Sequence, residues 1–143
     1  MESLYLIVRV AGDTVALRAD GISSVVEIDA ISAVPRVAPH IRGLFALRSR
    51  ILTVIDSTAA LGLGRCNRQA AHTAVVISSD GHGYALLVEE VVDVIEGGAP
   101  SPCVAVIGAG WSRVTVGQIE TPIGDILLLD PTLLIQGPEL LAA

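Results

Sequence analysis

Short aliphatic runs, each ended by a turn signal, recur along the whole chain and leave little room for anything but strands. Leu4 to Val10 reads LYLIVRV, Thr73 to Ser78 TAVVIS, Tyr84 to Val88 YALLV and Ile126 to Leu129 ILLL. Such runs are short and rich in β-branched residues, and Gly, Pro, Asn or Asp bounds them, which is the pattern of strands. Gly12-Asp13 predicts a turn before a second strand at Val15 to Leu17, and Ala19-Asp20-Gly21 a turn or short helical kink. Asp80-Gly81 predicts a hairpin, because glycine tolerates the positive φ that a two-residue hairpin loop needs. Regular spacing of such strands predicts an all-β fold of small barrels or a sandwich. No repeat of fixed period and no low-complexity segment is visible.

Between these runs the signals are more varied. ISSVVEIDAISAVPRV (22–37) keeps apolar residues at Val26, Ile28 and Ala30, with Glu27 and Asp29 on the other side. Pro35 and Pro39 interrupt pairing, so a bent strand leads into a loop. GLFALRSRILTVIDST (43–58) reads as a hairpin: Gly43 to Leu47, a tight turn at Arg48–Arg50, then Ile51 to Ile55. Thr58 to Gly64 predicts one helical turn and residues 65–71 a polar loop. Val91 to Ile95 alternates weakly, with a helical turn expected at Glu89-Glu90. Gly97 to Pro102 is a loop by composition, and Val104 to Ile107 a brief strand. Strands are expected again at Val114 to Val116 and Gln118 to Glu120. Asp130-Pro131 predicts the start of a short final helix and Gly137 its end.

Composition narrows the function. The chain is 52% hydrophobic but only 3% aromatic, so its core is aliphatic. That apolarity reads either as a dense β core or as extra surface that a partner covers. No uncharged run is long enough to span a membrane, and the N-terminus lacks the features of a signal peptide. Cys66 and Cys103 read as free thiols in a reducing cytoplasm. The net charge is −6 and every basic residue is Arg. Six Arg and one acid lie between Arg36 and Arg68; nine acids and one Arg lie from Asp80 onward. This predicts two faces of opposite sign. The acidic total and the lone Phe45 near the arginines argue against nucleic acid as a partner.

VAVIGAG (104–110) invites a dinucleotide-binding reading and fails it on context. The third glycine of that fingerprint falls on Arg113, and the β-branched residues after Gly110 predict no helix there. Asp130, where the ribose-binding acid belongs, already has a role as helix cap. His40, His72 and His82 lie at no metal-ligand spacing and read as surface or loop residues. Glu89 and Glu90 would point to opposite faces of a strand. No nucleophile, base and orienting group assemble, so no catalysis, no cofactor and no metal is expected.

Four stretches in order carry a resemblance: VVEI (25–28), GLFALRSRILTVIDST (43–58), YALLVEEVVDVIE (84–96) and LLLDPTLLI (127–135). Together they resemble the CheW-type chemotaxis coupling proteins. The resemblance covers about residues 4 to 136. It implies a single domain over 1–143, built of two intertwined five-stranded SH3-like β-barrels, with short helical turns and a short C-terminal helix. It implies a cytoplasmic, non-enzymatic adaptor that links a chemoreceptor signalling tip to a CheA-type histidine kinase. The kinase's regulatory domain, of the same fold, would pair with it edge to edge.

Carried over by position, Val25, Glu27 and Ile28 would line the receptor groove together with Arg48 of the hairpin turn. Ile51 and Leu52 would add apolar contacts, although alternation sends one of the two inward. Glu27 would pair with Arg48 or with the receptor. Val91, Val92 and Val94 would serve the kinase side or pack in the core. Ala46 and Ser49 stand where the family has Asn and Gly, a departure that touches the turn's backbone. A divergent barrel that binds a small molecule or another protein outside the receptor array is the alternative reading.

Overall fold

The computed structural model describes residues 3–28, 30–35, 37–64, 72–103 and 108–137. The predicted loop at 65–71, Cys66 and the predicted strand from Val104 to Ile107 lie outside the described residues. Among the described residues ten strands form two five-stranded sheets. In chain order they are β1 (Ser3–Val10), β2 (Asp13–Arg18), β3 (Ile22–Ile28), β4 (Ile41–Leu47) and β5 (Arg50–Asp56), then β6 (His72–Ser79), β7 (His82–Val88), β8 (Glu90–Gly97), β9 (Thr115–Thr121) and β10 (Gly124–Leu129). Three short helices accompany them: α1 (Ser57–Ala60), α2 (Ala109–Val114) and α3 (Pro131–Gln136).

One sheet has the order β8-β1-β2-β10-β9 and the other β3-β6-β7-β5-β4. Each closes into a barrel by the same device. Ser32, beyond β3, exchanges two backbone hydrogen bonds with Leu44 on β4, and Ser101, beyond β8, does the same with Gln118 on β9. A glycine precedes each bridged residue. A Cβ on Gly43 would overlap the Ser32 carbonyl, and one on Gly117 would lie 2.8 Å from that of Ser101.

These matched closures belong to a repeated arrangement of strands, which no fixed-period repeat in the sequence announces. The run β1-β2-β3-bridge-β4-β5-α1 is repeated as β6-β7-β8-bridge-β9-β10-α3, with α2 inserted. Ala11 and Gly12 take positive φ between β1 and β2, as Asp80 and Gly81 do between β6 and β7. The last seven residues of β8 show the same sequence of exposed and buried positions as β3. Each half gives two strands to one barrel and three to the other, so the barrels are intertwined.

The sheets share a seam, and this explains the continuous aliphatic runs. Tyr5 and Ile7 of β1 fill one barrel, while Leu6, Val8 and Val10 face the seam. On β6, Ala74 and Val76 fill the other barrel and Val75 and Ile77 the seam; on β7, Ala85 and Leu87 face inward and Leu86 and Val88 the seam. A strand buried on both faces has no polar side to show. Most of the chain's apolarity is therefore core. The Tyr5 ring lies against Gly97, and its hydroxyl donates to the Gly98 carbonyl at 2.7 Å, which satisfies a buried polar atom.

Three local expectations are corrected. Glu89 sits at a bend and β8 begins directly at Glu90, with no helical turn. A helix does follow the glycines at 108–110: α2 starts after Gly108 and ends where Thr115 enters β9. His40 is buried rather than on the surface; its Nε2 lies 2.8 Å from the Ile135 carbonyl, and its ring packs on Gly137.

Candidate functional site

The hairpin β4–β5 and the edge strand β3 hold the six residues singled out from sequence, and the pairing register divides them. Phe45 is opposite Leu52 and Ala46 opposite Ile51. Opposed residues in an antiparallel pair point to one side. Leu52 is fully buried in the barrel, beside Val54. Ile51 is 61% exposed, on an outer face with Ala46 and Leu44. On β3, Ile28 is 1% exposed and fills the same barrel, while Val25 is 43% exposed and Glu27 also faces out. Ile28 and Leu52 thus lie in the barrel interior, whereas Val25, Glu27, Arg48 and Ile51 are each exposed.

The hairpin loop is Arg48-Ser49, and Arg48 has a φ of 58°. Positive φ at the first loop position only is the habit of a type II′ turn, where glycine is the usual occupant. The positive φ, and with it the backbone strain of the turn, thus falls on Arg48 and not on Ser49, where the family's glycine was expected. It presents an exposed guanidinium from a fixed backbone, with Arg50 exposed beside it. Among the described residues no ion pair joins Glu27 to Arg48; both are free to meet a partner. At the far end of β5, the buried Asp56 caps α1 by accepting from the Ala59 N–H at 3.1 Å. It also pairs with Arg42 at 3.0 Å, which ties β4 to β5.

A second apolar surface involves residues that the resemblance offered for the kinase side, with core packing as the default. Val92 and Val94 of β8 were expected to default to core, yet both are exposed, as is Leu4 on the neighbouring β1. Glu90, Asp93 and Glu96 are exposed on the same strand. Acids at every third position, Glu90, Asp93 and Glu96, with a pair of apolar residues between each, were the available signal.

Gly108 precedes α2 as its N-cap residue, and Gly110 of VAVIGAG serves packing. A Cβ on Gly110 would overlap the Leu61 carbonyl. Arg113, in the place of the fingerprint's third glycine, donates to the carbonyls of Leu133 and Ala60 and so ties α3 to the end of α1. Asp130 caps α3, accepting from the Thr132 N–H at 2.9 Å. Among the described residues no group of three His, Cys, Asp or Glu could hold a metal ion. No described helix is long and apolar enough to cross a membrane.

Residues 4–137 fit the family model described as CheW-like domain. The chain belongs to the CheW-like family. Among solved structures it is similar to the scaffolding protein TtCheW from Thermoanaerobacter tengcongensis, with a TM-score of 0.77 and 22% identity over 91% of this chain and 85% of that one. No curated protein sequence matches it. A CheW-like domain is a scaffolding adaptor of chemotaxis-type signalling, not an enzyme.

Proposed function

We propose that this CheW-like domain couples the signalling tip of a chemoreceptor to the regulatory domain of a CheA-type histidine kinase in the cytoplasm. The observation that carries the reading is the exposed set Val25, Glu27, Arg48 and Ile51 on a rigid barrel surface. An aliphatic strip with a charged rim suits an amphipathic receptor helix. Arg48 offers a planar, permanently charged fork for a carboxylate or backbone carbonyl. The β8 surface, with Val92 and Val94, is proposed for the kinase side. The two surfaces lie on different barrels, so one adaptor could hold both partners at once.

The test is a pull-down of the purified protein with a kinase regulatory domain and a receptor-tip fragment from the same cell. Arg48→Ala should lose the receptor fragment and keep a cooperative thermal transition. Retention of both partners by Arg48→Ala would show the hairpin assignment to be wrong. Binding of neither partner by the parent protein would favour a barrel turned to other ligands, which a thermal-shift screen would detect.

A further inference from the structure

The two halves treat one carboxylate differently. Asp56 and Asp130 occupy equivalent places: Asp56 ends β5 and Asp130 directly follows β10, and each caps the helix that follows. The N–H of Asp56 donates to the His40 carbonyl and that of Asp130 to the Val114 carbonyl. Arg42 and Val116 are equivalent as well. Each is the extra residue where the strand pairing slips, between Ile41 and Gly43 in one half and Thr115 and Gly117 in the other. In the first half, Arg42 reaches the cap carboxylate and pairs with it at 3.0 Å. In the second half, valine cannot do so. A cleft of about 260 Å³ lies there, lined by Asp130, Val116, Asp20, Arg18, Ile77 and Leu128 among others.

We propose that this cleft receives one arginine side chain from a docked partner protein, which supplies in trans the guanidinium that Arg42 supplies in cis. The cap uses one Asp130 oxygen, Oδ1, on Thr132, and Asp130 makes no ion pair among the described residues. Ile77, Leu128 and the half-exposed Val116 give apolar walls for an alkyl stem, as arginine packs elsewhere. Arg18 pairs with neither Asp20 nor Asp130. Two carboxylates against one guanidinium leave the cleft negative. The site is separate from the Val25–Arg48 surface, so it stands or falls independently of the coupling reading.

The experiment is an amide-resolved NMR titration of the full chain with N-acetyl-arginine methylamide and, in parallel, its neutral citrulline counterpart. Saturable shifts are expected at Ile77, Ser78, Val116, Asp130 and Thr132, with a dissociation constant on the order of 10 mM for one isolated side chain. The citrulline compound should produce none. Asp130→Asn retains a capping oxygen and should abolish the shifts without loss of α3. Val116→Arg should fill the cleft from within and also abolish them. The proposal is overturned if nothing saturates, if citrulline binds equally, or if either variant still binds. Much tighter binding of free L-arginine would assign the cleft to a metabolite and overturn the partner reading.

Discussion

At the scale of single residues, two backbone positions dominate. Gly43 has a φ of 144° and no room for a Cβ against Ser32. Gly43→Ala should break the bridge that closes its barrel and cost about 2 kcal/mol or more, read from urea denaturation. Arg48 is the opposite case, a side chain held where glycine would be easier. Arg48→Gly should raise stability by about 0.5–1 kcal/mol and lose the partner together with the guanidinium. Arg48→Ala should lose the partner with no such gain. A pair of variants that weaken binding equally but differ in stability would separate the side chain's role from the turn's.

At the scale of elements, the helices are too short to stand on propensity and are held at their ends. Asp56 and Asp130 cap α1 and α3, and Arg113 ties the two together through the Ala60 carbonyl at the end of α1 and the Leu133 carbonyl within α3. The repeated arrangement allows a controlled comparison. Asp130→Ala removes a cap and should cost about 1 kcal/mol. Asp56→Ala removes a cap and also leaves the largely buried Arg42 without its carboxylate; about 3–5 kcal/mol is expected. Equal costs in chemical denaturation would mean that the Arg42 pair contributes nothing.

At the scale of the molecule, the seam joins what the two closures separate. Leu86 is fully buried in the seam, on a strand whose neighbours Ala85 and Leu87 fill a barrel. We propose that the chain is one cooperative domain. Leu86→Ala should cost about 2–5 kcal/mol and shift a single transition by calorimetry, with no second step. Residues 1–64 made alone should show no sheet by circular dichroism, because β3, β4 and β5 need β6 and β7 to complete their barrel. A folded half would sink the idea that the intertwining is obligatory.

How much was readable in advance follows from range. The strands at Leu4, Val15, Thr73, Tyr84 and Ile126, the Asp80-Gly81 hairpin and the capped α3 were all visible, since turn chemistry and capping act within a few residues. The candidate surface was visible only as a set. Alternation says that one of Ile51 and Leu52 is buried; the pairing of Leu52 with Phe45 decides which. Strands buried on both faces lose the polar–apolar rhythm that tells inside from outside, so exposed Val92 and Val94 look like buried Val75 and Leu86. The buried place of His40 and the packing of α2 depend on chain segments distant in sequence: α3 for the one, Leu61 for the other. The repeated arrangement lives in backbone conformation and closure. The sequence by itself determined where the chain would extend and where it would turn. Only the tertiary structure decided which faces met, because burial depends on partners that no local pattern names.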